Sequence, residues 1–213
     1  MKLIVITAET FSGKEPEAIN RLFENGLEIL HLRKPSASLD ETRMFIGRID
    51  SMFHTRLVLH DHHQLANEFD LKGIHLNQRN PVVDRQLFLY DTHDSSGKFH
   101  LSVSRSCHSL EEVIASADCD YVFLSPVFDS ISKAGYKGSV TPEQLRMAGD
   151  RKIINDRVIA LGGITNEKIP QIRTYGFGGV AVLGALWHEF AEDGNVRELL
   201  RRFNELKNSC KDK

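Results

Sequence analysis

The sequence predicts an α/β fold, a single (β/α)8 TIM barrel with parallel strands. Three observations point there. Eight short apolar runs recur along the chain, helical patterns fill most gaps between them, and eight such units nearly use up the 213 residues. Each run is four to six residues long and several lack polar alternation, as strands buried on both faces of a parallel sheet do. A doubly wound open sheet fits the same periodicity, because periodicity does not report closure.

In chain order, Leu3 to Thr7 reads as the first strand. Glu15-Pro16 opens a helix with proline at an early position, and Ile19, Leu22 and Phe23 form its apolar stripe before Gly26. After the strand Ile29 to Arg33, Ser38 or Asp40 caps a helix whose apolar face is Met44, Phe45, Ile49 and Phe53. The strands Leu57 to Asp61 and Gly73 to Leu76 flank a helix over His63 to Phe69. The fifth strand is Phe99 to Ser104, and Ser109 with Glu112 has capping-box spacing for a helix reaching Ala117. Tyr121 to Ser125, Val158 to Leu161 and Gly179 to Leu183 complete the strands. The remaining helices cover Thr141 to Ala148, Ile169 to Tyr175 and Val196 to Leu206. Strand starts are spaced by 26, 28, 16, 26, 22, 37 and 21 residues. The longest spacing marks Ser125 to Thr141 as a long loop suited to act as a lid. Residues 1–207 form the barrel and 208–213 a polar tail, with no linker or repeat.

The 27 Lys and Arg against 29 Asp and Glu give a net charge of −2, hence no basic field for nucleic acid or an anionic membrane surface. Gly176 to Trp187, mostly apolar and free of acidic and basic side chains other than histidine, is too short to span a bilayer. No secretory signal is read after Met1-Lys2, and Cys107, Cys119 and Cys210 suit free thiols, so a cytoplasmic protein is expected. A homo-oligomer is compatible with this composition. Ten histidines is a high count for the length.

Catalytic groups of such barrels sit just after the strands. Those positions hold His31-Leu32-Arg33-Lys34, His60-Asp61-His62-His63, then His75, Asn77, Gln78 and Asn80. Next come Ser104, Ser106 and His108, followed by Ser130, Ser132 and Lys133. Gly162-Gly163-Ile164-Thr165 and Leu183-Gly184-Ala185 end the series. The two glycine turns suit phosphate, because glycine lets backbone N–H groups approach an oxyanion and turns after strands seven and eight commonly do so; tight turns alone would also need glycine. Ser12-Gly13-Lys14 is not a P-loop, with Ala8 in place of the first glycine and Glu15 in place of Ser or Thr.

His60-Asp61-His62-His63 is a poor zinc site, since neighbouring strand residues face opposite ways and zinc ligands come from separate segments. Asp61 beside a phosphate would take Mg2+ more easily, unless the run is only a polar turn with Asp61 or His62 capping the helix. Arg33 is either a bidentate anion clamp or a surface ion pair. His108 lies at a helix start that favours neutral imidazole, which suits a proton shuttle or a polar cap. Cys107 has no base partner in sequence except His108.

Together the segments resemble the thiamine phosphate synthase/TenI family. The matching pieces are His-Leu-Arg at 31–33, Gly-Ile-His-Leu-Asn-Gln at 73–78, Ser-Cys-His-Ser-Leu-Glu-Glu at 106–112 and Ser-Pro-Val-Phe with Ser-Ile-Ser-Lys at 125–133. Ala-Leu-Gly-Gly-Ile-Thr at 160–165 and Gly-Val-Ala-Val at 179–182 complete the order. The resemblance implies a barrel that binds a thiazole phosphate. In the synthase branch an aminopyrimidine diphosphate loses pyrophosphate with Mg2+ help and the thiazole nitrogen attacks. Arg33 and Lys133 would then hold pyrophosphate, Asp61 would bind Mg2+, and Ser106, Ser130 and Ser132 would lie against the phosphates. The turns at Gly162, Gly163, Ile164, Leu183 and Gly184 would hold the thiazole phosphate, with His31, Lys34 and His60 beside the substrate.

Several positions depart from the synthase pattern. Pro35 stands at the usual lysine, with Lys34 adjacent; His60 replaces an asparagine, Asn80 the second Mg2+-binding aspartate, and Gly184 a serine. An Asn-Asp-Arg at 155–157 precedes the seventh strand and is a decoy. The missing charges favour the TenI-type branch, which tautomerises a thiazole carboxylate phosphate to its aromatic form without a metal, with His108 moving the proton and His31 before Arg33 as a further mark. Synthase is the alternative, and a non-catalytic regulatory barrel the third reading.

Overall fold

The computed structural model describes residues 1–83, 101–128 and 140–211. Eight strands, β1 (Lys2–Ile6), β2 (Ile29–Leu32), β3 (Leu57–Leu59), β4 (Gly73–Leu76), β5 (Ser102–Cys107), β6 (Tyr121–Leu124), β7 (Val158–Leu161) and β8 (Gly179–Val182), form a closed barrel in sequence order. All pairs are parallel, and β8 returns to β1 with Lys2 opposite Gly179 and Val5 opposite Val182. Closure rules out the open sheet.

Period-two alternation divides each strand between two layers. Val5, Leu30, Leu59, Val122, Val158 and Val180 pack outward under the helices. Ile4, Ile6, Tyr121, Phe123, Ile159 and Ala181 fill the barrel interior. His31, His75 and Ser104 share that interior at zero exposure. These three residues make the inside of the barrel polar on β2, β4 and β5.

The helices are α1 (Glu15–Glu24), α2 (Leu39–Ile46), α3 (Leu65–Glu68), α4 (Leu110–Ala115), α5 (Pro142–Asp150), α6 (Ile169–Thr174), α7 (Gly184–Asp193) and α8 (Val196–Lys211). Ser38 and Thr141 close reciprocal capping boxes with Glu41 and Gln144. At α4 only half the expected box forms: Ser109 accepts from the Glu112 N–H, while the Glu112 carboxylate accepts from the His108 N–H.

Four expectations are corrected. β5 ends at Cys107, three residues later than expected, because its interior-facing Ser104 and Ser106 are polar and do not read as strand core. Met44 is 65% exposed; α2 stops at Ile46, and Ile49 and Phe53 reach the core from a turn and a 3-10 helix over Ser51–Arg56. Gly184 is the first residue of a ten-residue helix that the sequence does not announce, rather than part of an open turn. The last helix runs through Lys211 with Cys210 buried, its carbonyl accepting from the Met1 ammonium, so 208–211 are helical rather than tail. Among the described residues no helix is long and apolar enough to cross a membrane.

Candidate active site

A cavity of about 360 Å³ opens at the C-terminal ends of the strands. Its polar wall includes Glu9, Arg33, His60, Arg79, Ser106 and His108, and Phe123 contributes an apolar surface. The turn Gly162-Gly163-Ile164 and the start of α7 at Leu183, Gly184 and Ala185 form the opposite wall.

Arg33 follows β2, where its N–H donates to Thr7 Oγ1 at 2.9 Å. Its guanidinium meets Glu9 at 2.7 Å, so an anion entering here competes with a carboxylate already in place. Lys34 points elsewhere. Its Nζ is buried and donates to the carbonyls of Ala8 and Thr10 and to Glu15, with the closest Glu15 oxygen at 2.7 Å. Burial lowers the Lys34 pKa and raises that of Glu15, each partly offset by the other's charge. Lys34 thus ties the β1–α1 loop to β2 and does not line the cavity, contrary to the substrate role expected of it.

Gly162 and Gly163 have φ of +99° and +63°, and a Cβ at Gly162 would sit 2.9 Å from Pro126 Cα. That turn therefore requires glycine. α7 starts without a side-chain cap, so its first N–H groups and positive dipole end face the cavity wall.

His108 precedes the α4 cap. Its Nδ1 lies 2.9 Å from the Ser125 carbonyl, which can only accept, so Nδ1 carries a proton. That backbone contact fixes the ring's orientation and leaves Nε2 as the nitrogen that exchanges a proton. Cys107 is fully buried beside Ser116, and burial raises its pKa, so it does not serve as a nucleophile here.

His31, expected beside the substrate, is instead at zero exposure below the cavity. Its Nδ1 is 2.9 Å from His60 Nε2 and its Nε2 is 2.7 Å from the Tyr121 hydroxyl. His75 bridges Ser104 and Ser106, 2.8 Å from each. Burial holds His31 and His60 well below the ordinary imidazole pKa and pushes His75 down to about 3. Ring nitrogens of these three lie within 4.8 Å of one another, a grouping from three strand ends that could share a cation. They are already engaged in hydrogen bonds among themselves and with Tyr121 and the serines.

The Mg2+ expected at Asp61 does not fit the residues as they stand. Arg79 binds both Asp61 carboxylate oxygens at 3.1 and 3.2 Å, and Asn80 donates to it at 3.0 Å. Asn80 supplies no second negative charge, and a cation would have to displace the guanidinium. His62 turns away to the Ala37 carbonyl at positive φ. Ser130, Ser132 and Lys133, and with them most of the expected lid, lie outside the described residues.

The sequence reading missed Glu9, Arg79 and Ser125. Arg79 had a signal, a cation just past β4 at the same rim as Asp61, and Ser125 opens the Ser-Pro-Val-Phe piece; Glu9 had none beyond its strand-end position.

Residues 3–186 match the family model described as thiamine monophosphate synthase. A thiamine-phosphate synthase of Levilactobacillus brevis is 27% identical over 201 residues, covering 88% of this chain and 87% of its own length. One of Anoxybacillus flavithermus is 30% identical over 159 residues, with 71% and 68% covered. The crystal structure of thiamine phosphate pyrophosphorylase from Bacteroides thetaiotaomicron is 41% identical, with a TM-score of 0.83 over 98% of this chain and 97% of that one. With its barrel closed in family order and its rim populated at the expected strand ends, the chain belongs to the thiamine monophosphate synthase family.

Proposed function

We propose that this protein binds a thiazole phosphate and moves a proton on it without a metal, as a tautomerase that aromatises a thiazole carboxylate phosphate. The observation that carries this reading is a contrast across one cavity. The carboxylate needed for Mg2+ is clasped by Arg79, whereas His108 lines the cavity with its Nδ1–H held on the Ser125 carbonyl.

The phosphate goes to the Gly162-Gly163 turn and the α7 N-terminus, where backbone N–H groups and the helix dipole favour an anion. The apolar face of Phe123 suits the thiazole ring. Arg33, released from Glu9, pairs with the carboxylate of the substrate. His108 Nε2 then removes the ring proton and returns it at the position that completes aromaticity.

The names of the relatives favour a second reading, coupling of the thiazole phosphate to an aminopyrimidine diphosphate with Mg2+ and pyrophosphate release. Two assays separate them. The first follows aromatisation of the thiazole carboxylate phosphate by wild type and His108→Ala; an unchanged rate in the variant rejects His108 as the proton carrier. The second supplies both coupling substrates with Mg2+; thiamine phosphate formation abolished by Asp61→Ala makes the protein a synthase. Thiazole phosphate binding with neither turnover would leave a regulatory barrel.

A further inference from the structure

Two arginines line the cavity from the strands on either side of β3, Arg33 after β2 and Arg79 after β4. Each already holds a carboxylate, but the two pairs differ in build. Arg33 meets Glu9 through one nitrogen, Nη1, and Glu9 is half-exposed. Arg79 turns the side of its guanidinium, Nε and Nη2, to both oxygens of Asp61. The Asp61 side chain is 15% exposed and that of Arg79 44%, so the carboxylate is the covered member of the pair and the guanidinium the open one.

The loop that carries Arg79 is pinned. Asn77 and Asn80 both donate from Nδ2 to the His60 carbonyl, at 3.0 and 2.9 Å. Asn77 Oδ1 accepts from the backbone N–H groups of Arg79 and Asn80, and Asn80 Nδ2 also donates to Asp61. The end of β3 and the loop after β4 are thereby one hydrogen-bonded unit. A guanidinium carries five N–H donors. Asp61 takes those along the Nε–Nη2 side, and among the described residues the end formed by Nη1 and the outer Nη2 N–H has no acceptor. That open end is the second edge of the fork, and it matches the two oxygens of a carboxylate.

Formal charge decides which oxyanion suits this wall. Arg79 with Asp61 and Arg33 with Glu9 each sum to zero. The cavity residues His60, Asn77, Gln78 and Ser106 beside them add no charge, His60 being kept neutral by burial. A diphosphate, with several negative charges, needs a net positive wall or a metal ion to balance it. A single carboxylate needs neither. It exchanges hydration for charge-assisted bonds to a cation whose direction is already fixed.

We propose that Arg79 selects a ligand bearing a carboxylate, gripping its two oxygens with Nη1 and Nη2, and that Asp61 is its positioning residue instead of a metal ligand. Arg33 gives up its contact with Glu9 to reach the same group, whereas Arg79 binds it with its own ion pair intact. The guanidinium stands on the carboxylate where a metal ion was expected and supplies the positive charge in its place. The inference rests on the thiazole phosphate reading for the identity of the ligand. It makes the carboxylate, and not the ring, the group that the protein distinguishes.

The test compares two ligands that differ in that group alone, aromatic thiazole carboxylate phosphate and thiazole phosphate, by calorimetric titration in EDTA. The wild type is expected to favour the carboxylated ligand about ten- to a hundredfold. Arg79→Gln is expected to bring the ratio close to one. Arg79→Lys, which keeps the charge but not the planar fork, should recover only part of it. Circular dichroism reports that each variant is folded. Asp61→Asn is expected to change the ratio in the wild-type background and to have no effect in the Arg79→Gln background, because it acts only through that side chain. A wild type without the preference, a preference that survives Arg79→Gln, or an Asp61→Asn effect of equal size in both backgrounds overturns the inference. So does Mn2+ taken up with inorganic pyrophosphate, seen as loss of the free-ion electron paramagnetic resonance signal, when Asp61→Asn abolishes it. If the preference depends on Arg79 but no aromatisation occurs, the inference stands and the tautomerase reading falls. If aromatisation proceeds while the preference ignores Arg79, the reverse holds.

Discussion

Replacing Lys34 with methionine separates a structural cation from a substrate-binding one. Methionine keeps an unbranched stem beside Phe11 and Phe45, over which the Lys34 ammonium sits at 5.0 and 5.2 Å, and removes only the charge and its hydrogen bonds. Lys34 and Glu15 are 3% and 1% exposed, so the substitution strands a buried carboxylate and leaves the Ala8 and Thr10 carbonyls without their donor. Removing one partner of a buried pair costs about 3–5 kcal/mol, a large part of the roughly 5–15 kcal/mol that holds a domain together. Urea denaturation at pH 7.5 measures it. The loss should shrink on acidification. Without Lys34 the folded pKa of Glu15, already above its ordinary 4.5, rises further, so between that unfolded value and the folded one the native state binds the extra proton. Stability in that window therefore falls as pH rises. Lys34→Met/Glu15→Gln should recover most of the loss, and thiazole phosphate binding should survive in any folded variant. A Lys34→Met protein within about 1 kcal/mol of wild type that no longer binds thiazole phosphate would refute the reasoning and return Lys34 to the cavity.

Gly162→Ala forces a Cβ against Pro126 at a φ of +99° and should cost about 1–3 kcal/mol together with phosphate binding, whereas Gly184→Ala meets nothing within 4 Å and should leave stability within about 0.5 kcal/mol, both by thermal or urea unfolding. Acid should destabilise the barrel through its buried histidines. His31, His60 and His75 have folded pKa values far below the unfolded 6.5, so the unfolded chain gains protons first and stability falls as pH drops below 6.5. At pH 5 that amounts to about 2 kcal/mol per histidine, and urea midpoints that stay flat between pH 7.5 and 5 would contradict their burial.

The outer layer of the barrel was legible because Leu30, Leu59 and Val180 repeat in short apolar runs, and helix starts at Ser38 and Thr141 carry capping residues that chemistry demands. The inner layer was not. Ser104, Ser106 and His75 face inward, and polar residues do not read as core until their partners on neighbouring strands are known. α7 escaped for a related reason: β8 runs into it through Val182, Leu183 and Gly184 with no capping side chain, so one apolar stretch hides a boundary. At the rim, strand-end counting found Arg33, His60, His108 and the glycine turns. It missed that Glu9 and Arg79 neutralise Arg33 and Asp61, because charge pairing between separate loops leaves no trace in spacing.

Metal-free proton transfer on a thiazole phosphate is tested most directly by adding the non-aromatic thiazole carboxylate phosphate to the wild-type protein in EDTA and following aromatisation by ultraviolet absorbance. Turnover that persists in EDTA and falls about 10²–10⁴-fold in His108→Ala is the predicted result. No aromatisation with or without Mg2+, alongside Mg2+-dependent release of pyrophosphate when the aminopyrimidine diphosphate is supplied, would contradict it.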